Sequence, residues 1–174
     1  MLQGDKIYLR VVESNDATTL YLWENNPENW KVSNTEVPFS MHGIHALIDS
    51  QKDFRECGQL RFIICEKESG FPVGTIDLYD VNFKHGFASV GILIAEEKQR
   101  RNGYASESLN LLIEYARDIL ELRNLQCSIH GDNLASVDLF QKSGFEHIGT
   151  RKNWLRFKGV FYDEMLFQKC LNAV

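Results

Sequence analysis

A basic turn between a predicted strand and a predicted helix is the feature that most constrains how this chain folds. Residues 90–95 form an apolar, strand-like stretch. After the turn, apolar side chains recur at the spacing of one helix face, at Leu109, Leu112, Ile113 and Ala116. A strand, a short turn with two arginines and a glycine, and then a helix N-terminus together form a site for phosphate.

The turn itself has the composition of an anion-binding site. It reads Arg100, Arg101, Asn102, Gly103, Tyr104, Ala105. The first N–H groups of a helix lack partners within it, and that helix end carries about +0.5 of a charge. Arginine adds charge-assisted donors, and glycine lets the backbone approach an anion closely. A solvated basic helix start is the alternative, but arginine is unfavourable at this end of the helix dipole.

Composition indicates an ordinary globular domain and argues against several functions. The 174 residues are 44% hydrophobic and 25% charged, which is enough for one core and a single domain over residues 1–174. A net charge of −5 argues against nucleic acid as a partner. It is compatible with a cationic substrate without requiring one.

The cysteines and the first residues bear on location. The four cysteines are widely spaced and form no metal-type pair, at Cys57, Cys65, Cys127 and Cys170. We therefore expect reduced thiols in a cytoplasmic protein, and no metal. The first ten residues contain charges and no apolar run, and no segment is long enough to span a membrane. The expectation is a protein without a signal peptide or a membrane partner.

Periodicity predicts an α+β fold around one mixed sheet. Strands are expected at residues 6–12, 60–66, 73–81, 87–95, 125–129, 145–149 and 160–168. Helices are expected at about residues 15–25, from Ser40 toward Phe54, and at about 103–120 and 133–144. Residues 26–38 contain two prolines and are expected to form a loop. The strand at 87–95 has little charge, so we expect it to be central and covered on both faces.

A second segment completes a recognisable pattern. It reads Asn133-x-x-Ser136-x-x-x-Phe140-x-Lys142-x-Gly144-Phe145. With Arg100-x-x-Gly103-x-Ala105 before it, and a strand ahead of each motif, the chain resembles the GNAT superfamily of N-acetyltransferases over nearly its full length. Within that superfamily it is similar to the ribosomal-protein N-terminal acetyltransferases and to the diamine and spermidine N-acetyltransferases.

The resemblance implies a fold and a reaction. The fold is a single-domain, mixed but mostly antiparallel sheet with a splayed central strand pair and about four flanking helices. The reaction is direct transfer of an acetyl group from acetyl-CoA to an amine, with no metal and no covalent enzyme intermediate. Leu93, Ile94 and Ala95 would part from the strand at 125–129 and offer backbone groups to the pantetheine arm. A backbone N–H of Leu93 or Ile94 would act as the oxyanion donor.

The same resemblance implies a set of coenzyme-binding residues. The pyrophosphate would lie on the turn and the helix start, at Arg100, Arg101, Asn102, Gly103, Tyr104, Ala105 and Ser106. Asn133 would hydrogen-bond to pantetheine, with Ser136 in the same motif. Phe140 would pack near the thioester sulfur. Lys142 would either approach a phosphate or be solvated.

Two departures from the family concern catalysis. Phe140 stands where many relatives have the tyrosine that protonates the leaving thiolate. Phenylalanine cannot donate a proton, but a thiol of pKa ~8.5 leaves as its thiolate without much help. Val90 stands where many relatives have a glutamate as general base. Weak candidates for that base are Asp77 and Asp80, then Asp132 and Glu36; each has a solvated surface carboxylate as its alternative. His130 is either a proton shuttle or a structural histidine.

The absent glutamate bears on the acceptor. A peptide α-amine has a pKa near ~8 and an alkyl amine near ~10.4, so a weak base suits the peptide amine better. This favours a peptide or protein N-terminus, or a small amine of low pKa. The mild acidity favours polyamines, although only Glu24, Glu28 and Glu36 follow the first helix. A non-catalytic coenzyme A-binding sensor is a further alternative, and a homodimer or larger homo-oligomer stays open.

Overall fold

One eight-stranded sheet organises the chain in the computed structural model, which describes residues 1–171. The strands are β1 (Leu2–Gln3), β2 (Ile7–Val11), β3 (Leu60–Glu66), β4 (Pro72–Asn82), β5 (Phe87–Ile94), β6 (Asn124–His130), β7 (Glu146–Phe157) and β8 (Val160–Cys170). Their spatial order is β1-β2-β3-β4-β5-β6-β8-β7. All neighbouring pairs are antiparallel except β5 and β6, which are parallel. The predicted mixed, mostly antiparallel sheet is confirmed.

Six α-helical segments lie along residues 1–171, against about four expected. They are α1 (Ala17–Glu24), α2 (Trp30–Ser33), α3 (Met41–Ser50), α4 (Phe54–Cys57), α5 (Tyr104–Asp118) and α6 (Leu134–Lys142). The two additional segments, α2 and α4, are single turns of four residues. The Ser40 hydroxyl accepts a hydrogen bond from the Gly43 N–H, so the predicted cap of α3 is confirmed. No helix within these residues combines the length and hydrophobicity that crossing a bilayer requires.

The sheet separates two cores, and β3 contributes to both because its side chains alternate between the faces. Phe62 and Ile64 belong to the larger core, in which α5 and α6 pack on the sheet. Ile63 and Cys65 belong to the smaller core, formed with α1 and α3. Trp23 packs against the smaller core, as expected for a structural aromatic residue. Because α5 packs on the other face of the sheet, it does not cover β5 and β6 on the face that carries α1 and α3.

The parallel pair β5–β6 opens after three residue pairs. Phe87 pairs with Asn124, and the pairing ends with Ser89 opposite Gln126. Beyond that point β5 continues to pair with β4 as far as Ile94, and β6 continues to pair with β8. The two strands therefore diverge into a V-shaped gap, and the predicted splay is confirmed.

Three sequence expectations need correction. The segment 26–38 contains the helical turn α2, held because the Trp30 indole N–H donates to the Glu24 carbonyl at 2.9 Å. The last hairpin is longer than predicted: β7 extends to Phe157, although its side chains are mostly exposed and show no apolar alternation. β5 is buried on both faces only in its first half, since Gly91 to Ile94 border the gap.

The contact between β4 and β5 beside the gap leaves no room for a side chain at Gly74. A Cβ there would lie 2.0 Å from the Leu93 carbonyl oxygen, whereas a Cβ on Gly149 in β7 would meet nothing within 4 Å. We expect Gly74→Ala to lower the free energy of unfolding by about 1–3 kcal/mol, because β5 must move away. Gly149→Ala should have the same urea midpoint of unfolding as the wild type. Equal midpoints for the two variants would refute this close packing.

Candidate active site

The opening between β5 and β6 leaves one edge of β5 without a neighbouring strand. The Ala95 N–H donates to the Val73 carbonyl at 3.0 Å, and the Leu93 carbonyl is directed at Gly74. Successive residues of a strand direct their backbone groups to opposite neighbours. Leu93 and Ala95 therefore face β4, and Ile94 faces the gap. Of the two predicted oxyanion donors, Ile94 is the one whose N–H lies on the gap side.

The basic turn follows directly at the open end of the gap. The Arg100 Nε donates to the Ile94 carbonyl at 3.3 Å, which holds the guanidinium at the mouth of the gap. Arg101 and Gly103 both have left-handed backbones, with φ of 66° and 85°. α5 then begins at Tyr104 with no side-chain cap on its first N–H groups. Uncapped N–H groups beside arginines make an anion-binding helix start.

Two contacts fix the turn against the edge of the sheet. The Lys6 ammonium donates to the Asn102 carbonyl at 3.2 Å, which brings a third cation to the turn. The Tyr104 hydroxyl donates to the Glu66 carboxylate on β3. The remaining predicted members lie in the first turn of α5, namely Ala105 and Ser106.

The second motif begins at the end of β6, across the gap from the turn. The Asn133 Oδ1 accepts from the Ser136 N–H at 3.2 Å and so caps α6, as predicted. This bond uses the amide oxygen of Asn133 and leaves its NH₂ group for another acceptor. Ser136 is half-buried in the first turn of α6. Both residues therefore stand at the gap, on the side of β6.

The last two predicted coenzyme contacts are less well placed. Phe140 is buried, with its ring edge-to-face against Phe145 at 5.0 Å between centroids, so it is a core residue as well as a neighbour of the gap. Lys142 lies at the far end of α6, about 13 Å along the helix from Asn133. Its ammonium pairs with Asp138 at 2.7 Å. The geometry favours the solvated alternative for Lys142.

The base candidate Asp77 is already engaged. On β4, opposite Gly91, its two carboxylate oxygens accept three bonds from the Arg61 guanidinium at 2.7–3.1 Å. Arg61 also donates to Glu24 at 2.6 Å. Burial opposes the charge of Arg61, but its two carboxylate partners prevail and raise the pKa of the guanidinium. This geometry disfavours Asp77 as a proton acceptor, because its lone pairs are occupied.

The candidate carboxylate Asp80 lies away from the gap. Asp80 is exposed in a left-handed conformation (φ 50°), at the irregularity of β4 beyond Tyr79. That is the closed end of the V, about 16 Å along the sheet from Leu93, which is too far for a group that acts at Ile94. The last candidate, Glu36, is exposed in the segment after α2.

A cluster of polar side chains does stand at the open end, on the face opposite α5. Asp132 pairs with Lys31 of α2, and the Lys31 ammonium lies 4.0 Å from the centre of the Tyr162 ring. His130 is buried edge-to-face against the same ring, at 5.0 Å. Glu164 of β8 stands opposite His130. The sequence alone singles out His130 and Asp132. Only the fold shows that Lys31, Tyr162 and Glu164 belong to the same cluster.

A cleft of about 420 Å³ opens beside this cluster. Its walls come from the turn after β6 and from β7 and β8, and include Asp132, Lys152, Tyr162 and Asp163. A second cleft, of about 590 Å³, lies beside the basic turn and is bordered by Lys6, Asn102 and Tyr104. The open end of the gap thus has an anion-binding helix start at one side and, on the face opposite α5, the polar cluster around His130 and Tyr162.

Comparison with known proteins assigns this arrangement to a family. The model of the acetyltransferase (GNAT) domain matches residues 6–146. The chain belongs to the GNAT family of acetyltransferases. It is an N-acetyltransferase, as are the relatives that it resembles along nearly their whole length.

Two relatives and one solved structure illustrate the similarity. The chain is 27% identical over 171 residues to the uncharacterized N-acetyltransferase YoaA of Bacillus subtilis, covering 96% of this chain and 94% of that one. It is 24% identical over 160 residues to the spermidine N(1)-acetyltransferase of Vibrio cholerae, covering 92% and 90%. The crystal structure of spermidine N-acetyltransferase from Vibrio cholerae in complex with CoA and spermine superposes with a TM-score of 0.87 at 20% identity, over 95% and 96%.

One buried thiol lies beside the gap in this GNAT enzyme. Cys127 is on β6, in the part that has left β5, and its side chain belongs to the core under α5. Burial raises the pKa of the Cys127 thiol to about 12. A thiol with that pKa is not a nucleophile at neutral pH. This accords with the expectation of direct transfer to the amine.

We predict that the Arg61 ion pairs hold together the sheet face that carries α1 and α3. Arg61→Met would leave the carboxylates of Asp77 and Glu24 buried without a cation. We expect a loss of about 3–5 kcal/mol in the free energy of unfolding. The control is Lys52→Met, which removes an exposed pair with Asp49 and should leave the urea midpoint unchanged. A small effect of Arg61→Met would contradict a structural role for this network.

Proposed function

We propose that the protein transfers the acetyl group of acetyl-CoA directly to a primary amine that carries a single positive charge, such as a peptide or protein N-terminus or a small monoamine. The observation that carries this proposal is the gap between β5 and β6, with its uncapped basic helix start at the mouth and a polar cluster around His130 and Tyr162 on the opposite face. The fit of acetyl-CoA to these groups follows from their chemistry. Arg100, Arg101 and the first N–H groups of α5 suit a pyrophosphate, and the free edge of β5 suits the amides of pantetheine.

In the proposed reaction the chain supplies position and polarisation. The Ile94 N–H donates to the thioester carbonyl oxygen and stabilises the negative charge that develops on it. The free edge of β5 and the Asn133 amide hold the pantetheine arm, so the carbonyl carbon faces the polar cluster opposite α5. The amine attacks from that side, a C–N bond forms, and the C–S bond breaks. Holding both reactants in this geometry provides much of the acceleration.

Phe140 determines how the leaving group departs. It offers no proton, and burial against Phe145 keeps its ring in place. The thiolate therefore leaves without a tyrosine acid, which its ordinary pKa of ~8.5 permits. In this proposal the apolar ring shields the C–S bond from water. The family assignment and the N-acetyltransferase relatives support an enzyme over the coenzyme A-binding sensor.

The charge balance around the polar cluster supports an acceptor with one positive charge. Four carboxylates on the face opposite α5 have cationic partners. The pairs are Glu24 and Asp77 with Arg61, Asp132 with Lys31, and Glu164 with Arg151. The three cations and four carboxylates of these pairs leave one net negative charge when His130 is neutral. A singly charged ammonium restores neutrality, whereas a polyamine brings charges that these carboxylates cannot match without breaking pairs.

The second candidate is a diamine or spermidine N-acetyltransferase. It is favoured by the similarity to the Vibrio cholerae spermidine enzyme along nearly the whole chain. The identity of 24% leaves room for a changed acceptor. Both candidate functions use the same acetyl-CoA site, and they differ only in the amine that binds on the other side of the gap.

Assembly and location complete the proposal. A spermidine N-acetyltransferase from Vibrio cholerae has a dodecameric structure. In this chain the hairpin of β7 and β8 exposes Trp154 and Phe161, more than half of whose surface is accessible. Exposed aromatic side chains of this kind support contacts between copies. We propose a homo-oligomer located in the cytoplasm.

The pyrophosphate site gives a direct binding prediction. We expect Arg100→Ala to raise the Kd for acetyl-CoA about tenfold to a hundredfold, because one charge-assisted bond is lost. Binding of acetyl-pantetheine, which lacks the pyrophosphate, should be unchanged. Arg117→Ala, at the other end of α5, is the matched control. Calorimetric titration distinguishes the cases, and equal losses for both ligands would place the anion site elsewhere.

The acceptor prediction is tested by thiol release from acetyl-CoA. We expect short peptides with free N-termini and small monoamines to give kcat/KM at least tenfold above spermidine and spermine at equal ionic strength. We expect this preference because the ion pairs around the polar cluster leave one net negative charge, which a singly charged amine balances. A clear preference for spermidine would select the second candidate. Tight acetyl-CoA binding without turnover of either panel would contradict the transferase proposal itself.

A further inference from the structure

His130 lies at the position where a proton must leave the attacking amine. The last pair of the β5–β6 ladder is Ser89 with Gln126. Four residues further along both strands, His130 is level with Leu93 across the gap. We propose that the His130 imidazole is the general base of the reaction, an inference that rests on the transferase activity proposed above.

The His130 side chain is directed to the acceptor side of the sheet. Along β6 the side chains of Leu125, Cys127 and Ile129 belong to the core under α5. Side chains alternate along a strand, so His130 projects from the opposite face. That face also carries Lys31 of α2 and Tyr162 of β8, whose ring His130 contacts. The imidazole therefore stands at the open end of the gap, among the polar side chains on the face opposite α5.

The surroundings of the ring leave one nitrogen available. The Nδ1 atom is buried and makes no hydrogen bond with any of residues 1–171. The nearest carboxylate oxygen to it is Asp132 Oδ1, at 3.5 Å. Because a carboxylate only accepts, it directs a proton to Nδ1 and leaves the lone pair on Nε2. A purely structural histidine is normally hydrogen-bonded when buried, so the orphaned Nδ1 favours a functional group.

Charged and polar groups from several elements surround the ring. Lys31 comes from α2, and Asp132 follows β6. Glu164 and Tyr162 come from β8, and Arg151 of β7 pairs with Glu164. Burial lowers the pKa of His130 most, and Lys31 lowers it further, whereas Asp132 and Glu164 raise it. The pKa of His130 is thus below its ordinary value of 6.5, so the imidazole is neutral and basic at pH 7.

The proposed step balances in atoms and charge. The neutral amine nitrogen forms a bond to the thioester carbonyl carbon, and the nitrogen becomes positively charged in the tetrahedral intermediate. Its proton passes to His130 Nε2. The C–S bond then breaks, and the thiolate leaves with the electron pair of that bond. The carboxylate of Asp132 stabilises the imidazolium. Because Asp132 is half-exposed, the proton can then pass to solvent.

The decisive variant is His130→Gln, which keeps a polar side chain of similar size but cannot accept a proton. We expect kcat to fall about a hundredfold or more, with the Kd for acetyl-CoA within twofold of the wild type. His85→Gln is the matched control, because His85 is exposed in the turn before β5. His130→Ala should regain activity with added imidazole. Wild-type kcat in His130→Gln would overturn the proposal.

A pH profile of the wild-type enzyme tests the proposal without relying on a variant that folds. With an acceptor amine that is protonated throughout, log(kcat/KM) should rise with slope one near neutrality, because the neutral amine increases with pH. Below the pKa of His130 the slope should become two, since the base is then also protonated. His130→Gln should keep slope one at both ends of the range. A constant slope of one in the wild type would overturn the role of His130.

Failure of the transferase proposal is distinguishable from failure of this one. If the wild type binds acetyl-CoA but acetylates no amine, both proposals fall. If the wild type acetylates an amine and His130→Gln does so equally well, with its acetyl-CoA affinity intact, only the assignment of the base falls.

Discussion

The divergence of β5 and β6 is the constraint on which the rest of this structure depends. Each strand has a complete antiparallel ladder on its outer side, β5 with β4 and β6 with β8, while only three residue pairs join them. Antiparallel ladders with many bonds outweigh a short parallel contact, so the two strands follow their outer partners apart. Backbone groups exposed inside a protein need partners, and in the proposed function an extended ligand supplies them along the gap. The turn, α5 and α6 are arranged around this opening.

Ion pairs connect the elements on the face of the sheet opposite α5. Arg61 joins α1, β3 and β4 by holding Glu24 and Asp77, and Lys31 ties α2 to the end of β6 through Asp132. These pairs occupy the carboxylates of Glu24, Asp77 and Asp132. His130 differs, because its buried Nδ1 has no hydrogen bond within residues 1–171 and its neighbours have opposing effects on its pKa. We propose this imidazole as the base, and a neutral base suits an amine that is itself partly neutral.

Local signals predicted several elements of the sheet and both motifs that border the gap. The basic turn with Gly103, the Asn133 cap of α6 and the strand Leu60–Glu66 were all found in the predicted places. Each depends on short-range chemistry: a left-handed glycine, a side-chain oxygen three residues before an N–H, or an apolar run. The end of β7 and the turn α2 carry no such signal, because their stability comes from the β8 ladder and from the Trp30 indole bond. The base candidates Asp77 and Asp80 could not be judged before their partners and distances were known.

The sequence by itself determined the α+β fold class, the family resemblance and the two motifs that border the gap, because these reside in residue types at fixed short spacings. Only the tertiary structure decided which of Leu93 and Ile94 faces the gap, that Arg61 occupies Asp77, and that His130 meets Lys31, Asp132, Tyr162 and Glu164. Those outcomes depend on strand register and on contacts between residues a hundred or more positions apart, such as Lys31 and Asp132. No local spacing encodes such contacts, since they arise when separate elements pack on one sheet.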